Sequence, residues 1–313
     1  MTEHFPTIED VRDARERISG HIHRTPVFTS GGINRVVGAD VFFKCENLQK
    51  TGAFKIRGAA NAVFSTPEAT DFATHSSGNH AAALTLAAGW KGGRAHIVMP
   101  ENSPRVKREA VSGYGADIYL CRPTLKAREK MLEKVVRKTG AVFVHPYDNP
   151  LVVAGQGTAA LELMEKADSL DTVITPVGGG GLLSGTAVAV SSVSPATKII
   201  AAEPVGADDA FRSFKSGRLL PSENPDTIAD GLLTSLSELT FGIIKDKVYD
   251  IVTVSEGAIV EGMRIVWERL KLVIEPSAAV PLGALIESRD RIPGRRLGII
   301  LSGGNVDLEN LPF

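Results

Sequence analysis

The sequence predicts an α/β fold: open, twisted, mostly parallel sheets flanked by helices. Three observations predict it. Short β-branched runs alternate with helical stretches along most of the chain. The strand-like runs are apolar throughout rather than alternating, as strands covered on both faces are. Several of them run directly into glycine, which suggests ligand loops at the carboxyl ends of strands in a doubly wound sheet rather than a barrel.

The elements follow in order. "IEDVRDARERI" sets Ile8, Val11, Ala14 and Ile18 at helical spacing, and "ADVFFKCENL" reads as a strand. The apolar runs "AHIVMP", "ADIYLC", "AVFVHP", "TVITPV", "KIIAAEP" and "LGIILSGG" are the next expected strands. Between and before them, "HAAALTLAAGW", "PRVKREAVSGYG", "LKAREKMLEKVVRK", "VAGQGTAALELMEKA" and "GLLSGTAVAVSSV" read as helices. No Pro/Ser-rich linker divides the chain, so a second domain has to be an insertion.

Composition narrows the function. The 313 residues, 43% hydrophobic and 23% charged, can bury a sizeable core without disulfides or a structural metal. Lysine and arginine (35) balance aspartate and glutamate (36), leaving a net charge of −1. Nothing in that balance suggests a nucleic-acid or membrane partner. No apolar run approaches the ~20 residues of a membrane span. Cys45 and Cys121 sit far apart in hydrophobic runs, and no signal peptide is evident. Reduced thiols in a cytoplasmic protein are expected.

Four short stretches carry chemistry. "TVITPVGGGGLLSGTAVAV" places Gly178, Gly179, Gly180 and Gly181 between a strand and a helix, an anion cradle built from free N–H groups and the positive helix end. It is neither a dinucleotide fingerprint nor a Walker loop: Leu183 stands where the former needs glycine, and no Gly-Lys-Ser/Thr follows. A monophosphate fits, although a glycine run alone is equally a tight turn. "TGAFKIRGAANAV" sets Lys55 between Phe54 and Ile56. Such a lysine is either a snorkelling surface cation or an amine whose pKa burial lowers for Schiff-base chemistry. "THSSGNHAAAL" crowds hydroxyls, a carboxamide and an imidazole at a helix mouth, and "LSGGNVD" puts Ser302 at the end of the last strand.

Together these motifs resemble the fold-type-II (tryptophan-synthase-beta-like) pyridoxal-phosphate enzymes, in the branch of serine/threonine dehydratases and serine racemases. The likeness runs in matching order from "RTPVFTS" through "ENLQKTGAFKIRGA", "THSSGNHAAAL", "VAGQGTAALE", "PVGGGGLLSG", "AAEPVGADDA", "TIADGL" and "VWERLKLVIEPSAAV" to "LSGGNVDL". It implies that Lys55 carries pyridoxal 5′-phosphate and later takes the Cα proton, with Phe54 beside the ring. Gly178 to Gly181 and Leu182 would hold the phosphate, Asn79 the ring's 3′ oxygen, and Ser302 would face the pyridine nitrogen. A neutral hydroxyl there makes the ring a weaker electron sink than a carboxylate would, which suits loss of a β-hydroxyl.

The resemblance also assigns a substrate pocket. Ser76, Asn79 and His80 would bind the amino acid's carboxylate, with capping of the helix by the same groups a compatible role. Ser77 would stand across the substrate from Lys55 as a second proton-transfer group. Arg128 is either a substrate contact or a solvated helix charge. Glu203, the Ala207 carbonyl and Asp209 would bind Mg²⁺ (or Ca²⁺ or Mn²⁺); an aspartate capping the following helix is the plainer alternative.

Two positions depart from the pattern. Ala53 replaces a frequent serine, and Tyr147 stands where racemases often have asparagine and dehydratases an aromatic residue. "DGLLTSL" offers Thr234 and Ser235 to a substrate hydroxyl. With so little chain after "LSGGNVDL", no regulatory domain is expected. The resemblance thus implies a dehydratase that converts an L-β-hydroxy amino acid such as threonine or serine to a 2-oxo acid and ammonia. Serine racemase, or a dehydratase for 3-hydroxyaspartate or phenylserine, is the alternative. It further implies a homodimer, a large domain from 1–69 and 149–313, and an inserted domain over 70–148 that closes on substrate.

Overall fold

Strands from both ends of the chain build one sheet, and strands from its middle build another. The computed structural model describes residues 5–76, 78–103 and 105–313. The first sheet has the order β1 (Val27–Thr29), β2 (Asp40–Cys45), β10 (Arg296–Leu301), β7 (Thr172–Pro176), β8 (Lys198–Pro204) and β9 (Asp250–Val254). Only β1 runs antiparallel to its neighbour. The second has the order β5 (Asp117–Cys121), β4 (Ala95–Pro100), β3 (Phe72–His75) and β6 (Val142–Phe143), all parallel.

The expected strands are present. Those not anticipated are short: β1, β3 and β9 have three to five residues each, too few to establish a period.

Helices cover both faces of the larger sheet, as apolar parallel strands require. One face packs α2 (Gly31–Val37), α11 (Glu256–Leu270) and α12 (Pro276–Glu287); the other packs α1 (Ile8–Ile18), α7 (Pro150–Lys166), α8 (Gly181–Val193) and α10 (Glu238–Lys247). The smaller sheet is flanked by α3 (Lys55–Phe64), α4 (Asn79–Trp90), α5 (Arg105–Gly113) and α6 (Leu125–Thr139). α9 (Asp209–Ser216) follows β8.

A glycine seam fixes α3, the helix that begins at Lys55. A Cβ on Gly155 of α7 would lie 2.6 Å from the Arg57 carbonyl oxygen, and one on Gly157 would lie 2.8 Å from the Gly185 carbonyl oxygen. Alanine at either site would force the α3–α7 or α7–α8 crossing apart. Behind the seam lies a buried ion quartet. Arg57 forks onto Glu46 (2.7 and 2.8 Å) and Glu162 (2.8 and 2.9 Å), while Lys44 reaches Glu162 at 2.5 Å. Each cation meets a carboxylate, which the low-dielectric interior demands.

Candidate active site

Lys55 opens α3 at the carboxyl ends of the larger sheet's central strands. Its Nζ donates to the Pro146 carbonyl at 3.1 Å and lies 5.1 Å from the centroid of Phe54. Burial lowers its pKa to about 8, and the Glu275 carboxylate acts against that fall. The Phe54 N–H donates to the Ser302 carbonyl at 3.0 Å, so Ser302, buried at the end of β10, abuts the lysine's segment.

Asn79, the first residue of α4, is held from the other sheet. Its Nδ2 donates to Glu275 Oε1 at 2.9 Å and Oε2 at 3.2 Å; its Oδ1 accepts from Asn305 Nδ2 at 2.9 Å. Asn305 also donates to the Thr51 carbonyl at 2.7 Å. These partners fix which way the carboxamide points. Sequence reasoning missed both Glu275 and Asn305. Glu275 carried one signal, a lone acid between Ile274 and Pro276 in an apolar stretch; Asn305 carried none beyond its place in "LSGGNVD".

Gly178 to Gly181 and Leu182 form the head of α8. Gly180 is its N-cap at φ +84°, and no side chain caps the helix, so first-turn N–H groups are offered to a ligand. The Tyr147 ring lies against Gly179 and leaves no room for a Cβ there, while a Cβ on Gly181 would lie 2.9 Å from Tyr147 Cβ. Burial, with Asp148 and Asp209 nearby, pushes the phenol up to about 12; a bond to Thr234 acts the other way. It is therefore Thr234 that meets Tyr147. Ser235 accepts the Ser222 N–H at 2.8 Å.

The smaller sheet supplies the remaining wall. Ser76 Oγ accepts the Gly78 N–H at 3.4 Å, and Gly78 leaves the head of α4 without a side-chain cap. Ser77 lies outside the described residues. His80 is buried, with Nε2 3.3 Å from the Val144 carbonyl and Nδ1 unpaired; burial and Lys55 hold its pKa well below that of a free imidazole. His75 is lowered by burial and by Arg128. Arg128 is half-buried on α6, and its Nε is buried without a hydrogen-bond partner. Arg128 lies in electrostatic reach of His75 and Tyr147, with Glu129 acting on the first and Asp148 and Asp209 on the second, so this wall carries one arginine among groups of both signs.

A second acidic locus follows β8. Glu203 accepts the Ala210 and Phe211 N–H groups at 2.9 and 2.8 Å, and burial pushes its pKa up to about 9. Both carboxylate oxygens of Asp209 are buried without a hydrogen bond of ordinary geometry, and burial raises its pKa to about 6. Ala207 is buried in the turn between them. The described residues include no group of three or more His, Cys, Asp or Glu placed to hold a metal. Two buried carboxylates with an orphaned oxygen pair, beside a backbone turn, nonetheless suit a hard cation whose remaining ligands are carbonyl and water oxygens. An open depression of about 470 Å³ between α1, α7 and α8, lined by Arg12, Arg15 and Glu165 among others, shares no residue with any of these clusters.

A desolvated lysine, an uncapped glycine-rich helix head and a buried strand-end hydroxyl meet at one cleft, the constellation of an enzyme that anchors a phosphorylated aldehyde. The chain belongs to the family described as pyridoxal-phosphate dependent enzyme, whose profile matches residues 18–303. It is 49% identical to beta-hydroxyaspartate dehydratase of Paracoccus denitrificans (strain Pd 1222), over 99% of each chain. The crystal structure of serine racemase from Dictyostelium discoideum superposes with a TM-score of 0.93 at 48% identity, covering 97% of this chain and 99% of that one. The crystal structure of a T.th. threonine deaminase gives 0.94 at 43% identity, covering 97% of this chain and 99% of that one. No helix among the described residues is long and apolar enough to cross a membrane.

Proposed function

We propose that the protein is a pyridoxal-phosphate-dependent ammonia-lyase that converts an L-β-hydroxy amino acid to a 2-oxo acid and ammonia. The observation that carries this reading is Lys55, whose amine is held near neutrality and within hydrogen-bond reach of a fixed carbonyl. When bound, the cofactor supplies an electrophilic aldehyde and a ring that accepts electron density from the substrate's Cα. Lys55 anchors that aldehyde and, once free, takes the Cα proton at Nζ. A base with a pKa of about 8 is matched to this work.

The other residues bind and orient. N–H groups of Gly178 to Gly181 and Leu182 take the phosphate, Ser302 faces the ring nitrogen, and Asn79 faces the 3′ oxygen. Ser76, His80 and the head of α4 take the substrate's α-carboxylate. Arg128, beside the neutral His75, extends the wall towards the side chain, and its charge favours a second carboxylate there. Among the β-hydroxy amino acids, 3-hydroxyaspartate is therefore the preferred candidate, ahead of threonine and serine, and the Paracoccus relative supports that order. Glu203, the Ala207 carbonyl and Asp209 hold Mg²⁺, Ca²⁺ or Mn²⁺, which neutralises the acids and braces α9.

The test is a panel of L-serine, L-threonine, phenylserine and 3-hydroxyaspartate, scored for oxo acid, ammonia and enantiomers. Borohydride reduction and peptide mapping should place the reduced cofactor on Lys55; an adduct elsewhere, or none, refutes the reading. A second reading, serine racemase, is favoured by the Dictyostelium likeness. Accumulation of D-serine with little pyruvate would put it first.

A further inference from the structure

His145 stands at the start of the loop that touches both halves of the candidate site. Its Nδ1 accepts two backbone bonds, from the Asp148 N–H at 2.8 Å and the Tyr147 N–H at 3.3 Å. The intervening carbonyl, that of Pro146, accepts from Lys55 Nζ at 3.1 Å, and the Tyr147 ring lies on Gly179 while its Cβ and backbone lie against Gly181. One imidazole nitrogen thus folds the turn that aims a carbonyl at the lysine and a phenol at the glycine cradle. The ring itself is clamped, edge-on to Tyr147 at 4.6 Å and to His75 at 5.6 Å between centroids.

We infer that His145 is a positioning residue: as the Nε2–H tautomer it ties residues 145–148 into the shape that sets Pro146 against Lys55 and Tyr147 against the phosphate cradle. Only an unprotonated Nδ1 can accept both N–H groups. The surroundings keep it so. Burial, then His75, and more weakly Lys55, drive the imidazole's pKa down to about 4, with Asp148 alone pulling upward. A neutral ring with its proton on Nε2 is the form left.

The geometry makes a pattern that packing alone would not. Asparagine places its Oδ1 where Nδ1 stands and can take over the acceptor role. Glutamine, although closer to histidine in size, carries its acceptor one atom further out. The inference rests on the cofactor reading of the site, so the experiment has one arm that does not. In the cofactor-free protein, ¹⁵N-histidine spectra should show His145 Nδ1 unprotonated and Nε2 protonated at neutral pH; the opposite tautomer overturns the inference whatever the cofactor proves to be.

In the second arm, apoenzymes of His145→Asn, His145→Gln and His145→Ala are titrated with pyridoxal 5′-phosphate, their folding checked by melting temperature. Loss of two backbone bonds predicts a Kd raised about tenfold or more for Gln and Ala, and close to the parent for Asn. Equal affinities in all three, whether intact or weakened, or recovery by Gln and not Asn, reject the assignment. A parent apoenzyme that does not bind the cofactor would instead sink the cofactor reading and leave the tautomer result standing.

Discussion

Asn79 and Glu275, 196 residues apart in the chain, meet at 2.9 Å across the cleft between the two sheets. The contact ties the head of α4 to the N-cap of α12 and places a carboxylate in electrostatic reach of Lys55. Glu275 thus has two effects at once: it orients a carboxamide and favours the charged form of the lysine.

Removing the charge should separate these effects. In Glu275→Gln the carboxylate that raises the Lys55 pKa is gone while a carbonyl remains for Asn79. The amine's pKa then falls below the parent's value of about 8. Loading of apoenzyme with pyridoxal 5′-phosphate needs the free amine, so its rate rises with pH through that pKa. The half-maximal pH should move down in the variant. A midpoint that stays put would show that Glu275 does not influence Lys55.

The buried quartet predicts a large and specific loss of stability. Arg57→Ala leaves Glu46 and Glu162 desolvated, with Lys44 as their remaining cation and the Thr25 hydroxyl on Glu46, a change that typically costs about 3–5 kcal/mol. Arg24, paired with Glu165 at the surface, is the control: Arg24→Ala should cost under about 1 kcal/mol. Urea unfolding of both variants checks the contrast. Comparable losses would mean that the quartet is not the constraint that fixes α3.

Much of this was legible in the sequence, and the illegible part has a physical cause. Strands such as "TVITPV" and "KIIAAEP" announce themselves because burial on both faces demands apolar runs. Lys55 and the glycines after β7 are local signals, since strand, loop and helix are contiguous there. Glu275 and Asn305 were not found because their meaning lies in partners more than 190 residues away. Between the neighbouring hydroxyls of Thr234 and Ser235 the sequence offers no choice, and only the fold shows that Thr234 meets Tyr147 while Ser235 accepts the Ser222 N–H. The seam at Gly155 and Gly157 also needed coordinates, because a glycine inside a helix signals close approach without saying to what.

The acidic pair after β8 predicts how a metal should act with pH. Burial raises Glu203 from 4.5 to about 9 and Asp209 from 3.8 to about 6. An acid whose pKa is higher in the folded state stabilises the fold below its unfolded value and loses that contribution as pH rises to the folded one. The cation-free protein should therefore lose stability from about pH 4 upward, through about 6 for Asp209 and about 9 for Glu203. A divalent cation held there, as proposed, would offset that loss, so the Mg²⁺-induced rise in melting temperature should be larger at pH 8.5 than at pH 6, vanish with chelator, and shrink in Glu203→Gln. A Mg²⁺ effect independent of pH, or none at all, would remove the metal from this site.

On the proposed reading, Arg128 is the residue that would select the substrate's side chain. Its Nε is buried without a hydrogen-bond partner, with His75 and Tyr147 in electrostatic reach, and on the proposed reading this donor serves the substrate's side chain. A charge-assisted bond to a substrate carboxylate is worth about 1.5–3 kcal/mol, roughly 10–150-fold in affinity. Threonine and serine have no second carboxylate to accept it. Arg128→Gln should thus raise KM for 3-hydroxyaspartate by about 10–100-fold and change kcat little, since the lost contact is made equally before and during reaction. Turnover of threonine or serine should hardly respond. If the variant instead loses all substrates alike, Arg128 shapes the wall without reading the side chain, and the preference for a second carboxylate has no residue to carry it.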